Sequence, residues 1–176
     1  MQRLKAIFSQ HWLLSNTLTS CGQIGTADAL QQAISGDITQ YGWDWKRTVR
    51  MAAVGLVIGP MLHNFYRVLD SRRFTGEKRV VVMKKLFWDT AFIPVFSCTF
   101  INVAGLYEGK SLPSCLHEYR SKMWHIWKVD FAIWPPAQTL NFYFLPHSVR
   151  VIYVNLVSLI YNCLMSYIKN NDVHIQ

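Results

Sequence analysis

Apolar stretches of roughly 18–23 residues alternate along the chain with short charged blocks, and each is long enough to cross about 30 Å of hydrocarbon. The pattern predicts membrane-spanning helices over about 12–34, 48–69, 84–107 and 149–168. Between Glu108 and Lys128 it turns amphipathic, with Leu116, Tyr119 and Met123 on one side and Glu118, Arg120 and Lys122 on the others. A helix over about 113–128, capped at Ser111, is therefore expected to lie on the membrane surface. Pro135 and Pro136 suit the first turn of a helix, so a short inserted helix led by Trp134 is expected over about 135–145. The expectation is an all-α polytopic bundle: one domain over 1–176, with about four transmembrane helices, one interfacial helix and one short inserted helix. Four crossings would place the N-terminus, the 70–79 hairpin and the C-terminus on one side.

Small residues repeat every fourth position in the first span, at Thr17, Cys21, Gly25, Ala29 and Ala33, a stripe that permits close approach of another helix. Asp28 lies off the stripe and needs a partner, either an arginine elsewhere in the bundle or a solute or proton. In the second span Gly55 and Gly59 begin a four-residue row that His63 and Arg67 continue, and Pro60 is expected to kink the helix. Asp89, near a membrane edge on a span interrupted by Pro94, stands four residues after Lys85 and can pair with it. Gln138 and Asn141 share a face with Trp134 and Phe142, and buried amides there either bond other helices or line a polar path. Asn155, Ser158, Asn162 and Ser166 form a polar seam in the last span, so Asp28, Gln138, Asn141, Asn155 and Asn162 are the candidate lining or interhelical bonding residues.

Composition sharpens this picture. Of 176 residues, 51% are hydrophobic and 14% aromatic, while the mean hydropathy of +0.12 is mild because charge is confined to the blocks. The net charge of +8 could suit nucleic acid, but Lys and Arg flank the apolar stretches, which favours anionic lipid headgroups as the partner. The four cysteines, Cys21, Cys98, Cys115 and Cys163, form no Cys-x-x-Cys pair or disulfide framework, and the histidines are scattered, so no metal is expected. No cleavable secretory signal is visible, and Arg3, Lys5 and His11 without an early acid permit mitochondrial import. The absence of nucleophile, zincin, phosphate-loop and dinucleotide motifs argues against an enzyme, and no cofactor is expected.

The motif runs carry a resemblance. Trp134-Pro135, Gln138, Asn141-Phe142, Pro146 and Arg150, with Asp44, Arg47, Arg50, Gly55, Gly59-Pro60, His63, Tyr66, Asp70, Asp89 and Pro94 upstream, resemble the signature of the Mpv-seventeen and twenty-two-kilodalton peroxisomal membrane protein family. Thr90 stands where that family usually has glutamine. The chain looks most like the branch called Mpv-seventeen-like protein two. The resemblance implies a non-enzymatic, multi-pass protein of the mitochondrial inner membrane, or alternatively of the peroxisomal membrane. It implies a role in mitochondrial maintenance, with mitochondrial ribosomal particles as partners in ribosome assembly and translation. The alternative it carries is a non-selective channel or small-solute transporter.

Overall fold

The computed structural model describes residues 12–71, 76–145 and 147–170, and no strand occurs among them. Among the described residues six helices follow in order: α1 (Trp12–Ile34), α2 (Asp37–Tyr41), α3 (Trp45–Ser71), α4 (Lys78–Tyr107), α5 (Leu112–Tyr143) and α6 (His147–Asn170). The five long ones close into a ring, in which α1 packs chiefly on α3 and α6, α4 on α3 and α5, and α5 on α6.

Small side chains set the tightest seam. A β-carbon on Gly59 would stand 2.6 Å from Thr17 Cα, one on Gly25 would stand 3.0 Å from Ala52 Cβ, and one on Gly55 would collide with the Cys21 backbone. The stripe on α1 therefore meets the glycine row on α3 in antiparallel register. Helices α1 and α6 run parallel, since Gln23 Nε2 donates to the Asn155 carbonyl (3.1 Å) and Ser166 Oγ to Asp28 (2.6 Å). The start of α1 and the end of α6 thus lie at opposite ends of the ring, in place of the shared side expected for four crossings.

The cause of that difference is α5. The separate interfacial helix over 113–128 and short inserted helix over 135–145 are one helix of 32 residues, about 48 Å long. Pro135 and Pro136 sit inside it. A proline in a helix interior costs about 3 kcal/mol, but the walls on both sides of the pair are buried, at Ile126 and Asp130 before it and Ala137 and Gln138 after it. Packing carries the helix through. Its N-terminal half packs into the ring along one side, where Cys115, Lys122 and Ile126 are buried and Glu118 and Lys122 are ion-paired, while Leu116, Arg120 and Trp124 remain exposed.

A core cluster of Ile24, Met51, Val54, Ile58, Phe100, Ile101, Ala104, Ile126, Met165 and Ile168 fills the ring's middle and one end. Outside, Leu14, Leu18, Leu56, Val95, Leu156 and Ile160 are 48–61% exposed, so the ring presents apolar side chains outward. Among the described residues two segments, Trp45–Leu69 and Arg79–Tyr107, are long and apolar enough to cross a membrane. Helices α1 and α6 have the length but carry more polar side chains, several of which face inward. The side chains of Asp70, Phe142 and Arg150, and residues Arg3, Lys5, His11, Arg72, Arg73 and Pro146, lie outside what the structure describes.

Gly59→Leu places a branched side chain against the α1 backbone, and overpacking of this kind costs about 1–3 kcal/mol or more. The expected result is a membrane-inserted protein with a lowered melting temperature in detergent. An unchanged melting temperature would show that this seam is not a contact.

Candidate functional site

The half of the ring away from most of the apolar core encloses a cavity of about 440 Å³. Every long helix contributes to it: Asn16, Ser20 and Gln23 from α1, Ile58, His63 and Arg67 from α3, Asp89, Phe96 and Phe100 from α4, Trp134 from α5, and Asn155, Ser158, Tyr161 and Asn162 from α6. Ile24, Ile58 and Phe100 belong both to this lining and to the apolar core, so they form the cavity's floor. The row on α3 explains the shape. Its glycine half lets α1 approach closely, and its polar half faces the cavity, with Asn16 Nδ2 of α1 donating to His63 Nδ1 at 3.0 Å.

On one wall Asp89 is fixed between helices, accepting from Tyr66 Oη (2.9 Å) and from Gln138 Nε2 (3.1 Å). These partners replace the expected pairing with Lys85. Asn141 Nδ2 in turn donates to Gln138 Oε1 (3.2 Å), within the same helix and not across to another, and neither amide lines the cavity. Of the five candidate lining residues, only Asn155 and Asn162 reach the cavity.

Asp28 sits elsewhere, fully buried on the core side of the floor. Its Oδ1 accepts from Arg47 Nε (3.0 Å) and Ser166 Oγ (2.6 Å), and its Oδ2 from Gln32 Nε2 and Thr48 Oγ1 (both 2.9 Å). Arg47 also donates to Gln31 and pairs with Asp37 at 3.4 Å. Asp44 caps α3 by accepting from the Arg47 N–H at 2.9 Å, and its own N–H donates to Gln32 Oε1 at 3.0 Å. The arginine expected for Asp28 is thus Arg47, and the network joins α1, α3 and α6.

A second ionic cluster closes the same end. The turn at Gly109, with φ of 82°, brings Glu108 and Lys110 beside α5. Lys169 Nζ, whose side chain is 1% exposed, donates to Glu108 and Glu118 (both 2.8 Å), Lys110 Nζ reaches the same acids, and Lys122 Nζ donates to the Lys169 carbonyl (2.9 Å). Burial pushes the Glu118 carboxyl up, but the hydrogen bonds from Lys110 and Lys169 and the fields of Lys169 and Lys122 outweigh it and hold it at about 2.

Sequence reasoning passed over Glu108, Gln31, Gln32 and Lys169, although Asp28–Gln32 and Glu118–Lys122 carry the four-residue spacing of helical pairs. It also passed over Asp130, an acid in an otherwise apolar run. That carboxyl is fully buried and adjoins the hydroxyls of Ser97 and Tyr161 without reaching hydrogen-bond geometry.

An all-helical ring with apolar side chains outward and a polar interior has the organisation of a membrane helix bundle. The chain belongs to the Mpv17 / PMP22 family, whose sequence profile matches residues 105–166. PXMP2/4 family protein 2 of Dictyostelium discoideum is 32% identical over 177 residues, spanning 97% of this chain and 91% of that protein. The Drosophila melanogaster protein named mitochondrial inner membrane protein Mpv17 is 30% identical over 174 residues, 97% of this chain and all of its own. Protein sym1 of Aspergillus oryzae is 28% identical over 162 residues, 91% of this chain and 92% of its own. No solved structure matches the chain.

Two outcomes follow from the ionic end. Asp28→Leu removes the buried carboxylate from Arg47 and leaves it the longer pair with Asp37; breaking such a buried pair costs about 3–5 kcal/mol, much of which Arg47→Met in the same chain restores. Additive losses in that double variant, measured by thermal unfolding in detergent, would contradict the pairing. Because the folded Glu118 value is depressed, its stabilisation is full above the ordinary 4.5 and is lost as pH falls toward about 2. A Glu118→Gln variant should therefore lose stability less steeply than wild type across that window.

Proposed function

We propose that this chain is a multi-pass, non-enzymatic protein of the mitochondrial inner membrane whose helix ring takes up small polar solutes and provides their route through the bilayer. The carrying observation is the cavity, to which all five long helices contribute polar or aromatic side chains while the ring's outer face is apolar. Polar side chains at membrane depth are costly unless they face one another or a wet space, and Asn155, Ser158 and Asn162 face the cavity. Relatives named as mitochondrial inner membrane proteins support the location. Anionic headgroups are the expected lipid partner, and the exposed Trp45 with Lys46 Nζ 5.9 Å from its ring centroid suits headgroup depth.

The floor at Ile24, Ile58 and Phe100 makes this a state closed toward the ionic end, so passage requires those side chains to separate. A role in mitochondrial ribosome assembly and translation draws on the basic 70–79 hairpin, of which Arg72 and Arg73 lie outside the described residues. The geometry favours the solute reading over it.

The test is erythritol efflux from liposomes containing the purified chain. Wild type is expected to release it, and the double variant Ser158→Leu with Asn162→Leu to do so roughly tenfold more slowly, because lining groups set the barrier. No efflux from wild type, together with sedimentation of the solubilised protein with ribosomal particles, would replace this reading with the assembly role.

A further inference from the structure

The charges lining the cavity are not equivalent. Apart from two tyrosines, its ionisable side chains are His63, Arg67 and Asp89. Both oxygens of Asp89 already accept hydrogen bonds, from Tyr66 and Gln138, and His63 Nδ1 is held by Asn16. Arg67 is one turn beyond His63, on the side away from the floor, and forms no hydrogen bond or ion pair among the described residues. It brings five N–H donors in a fork that matches a carboxylate or phosphate. Across the cavity the side chains of Asn155, Ser158 and Asn162 make no hydrogen bond among the described residues either, leaving a row of free donors and acceptors. Phe96 and Phe100 supply an apolar surface beneath.

Resting on the solute reading above, we infer that the cavity binds a small organic anion, with its carboxylate or phosphate on Arg67 and its hydroxyl or carbonyl groups on the Asn155–Ser158–Asn162 wall. An inorganic ion would leave that wall and the aromatic floor unused, whereas about 440 Å³ lies within the roughly 300–1,000 Å³ of small-molecule sites. Asp89, the one carboxylate in the lining, is already solvated by neutral hydrogen bonds from Tyr66 and Gln138, whereas Arg67 has no such partner among the described residues, so the uncompensated charge in the cavity is positive. Arg67 is thereby the residue that determines which solutes enter. It stands near the mouth, so a lipid phosphate is the competing source of the same chemistry.

The experiment compares uptake of succinate, erythritol and putrescine into phosphatidylcholine vesicles containing the full chain. Wild type is expected to take up succinate faster than the other two. Arg67→Gln should lower succinate uptake about tenfold, equivalent to 1.4 kcal/mol, and leave erythritol uptake unchanged, while Arg67→Lys retains part of the preference because it keeps the charge without the fork. Erythritol uptake with no preference for succinate, or a preference that survives Arg67→Gln, would overturn the anion assignment and leave the solute route standing. Uptake of none of the three would remove both. A preference abolished by adding phosphatidylglycerol to the vesicles would assign Arg67 to a lipid headgroup and overturn the inference as well.

Discussion

A fully buried carboxylate must be compensated, and at Asp28 the compensation organises the bundle. An acid at that depth costs several kcal/mol unless it is paired, and one residue on a single helix cannot supply the bonds it needs. Asp28 draws them from Arg47 and Thr48 of α3, from Ser166 of α6 and from Gln32 of its own helix. Three helices are thereby held at one end, in one register. The cluster around Lys169 adds α5 and the turn after α4 to the same end.

With the ring held there, the rest of its architecture follows from side-chain size. The glycines of α3 bring α1 into close contact just above the Asp28 network, and Ile24, Ile58 and Phe100 fill the centre. Beyond that floor the facing positions change from small to polar and aromatic, at Asn16, His63, Asp89, Trp134 and Asn162, and these side chains surround the cavity. The cavity is the space left where polar side chains on adjacent helices do not all meet. Behind Tyr66 and Asp89 on the opposite wall, the hydrogen-bonded run Tyr66–Asp89–Gln138–Asn141 ties α3, α4 and α5 together.

Much of this was legible along the chain. The first span ends where α1 ends, the glycine row and its polar continuation at His63 and Arg67 lie on one face, and the need of Asp28 for an arginine is a matter of elementary electrostatics. The continuity of α5 was not legible, because a Pro-Pro pair is the local signal for a helix start and only burial on both sides of it overrides that signal. The amphipathic pattern of 113–128 suggested a surface for a similar reason: Glu118 does need a partner, but it finds Lys169, distant in sequence, and Lys110 across the turn. Nor could spacing separate Gln138 and Asn141, which brace helices, from Asn155 and Asn162, which face open space. All four occupy polar positions on helices, and their roles depend on which neighbour stands opposite.

In the proposed solute route α6 turns one face, with Ser158 and Asn162, to a water-accessible cavity and the other, with Leu156 and Ile160, to lipid. Single cysteines placed along it in a chain freed of Cys21, Cys98, Cys115 and Cys163, and challenged in proteoliposomes with a membrane-impermeant thiol reagent, test that arrangement directly. Labelling is expected at Ser158→Cys and Asn162→Cys and protection at Leu156→Cys and Ile160→Cys. Equal labelling of both faces, or protection of all four positions, would contradict it.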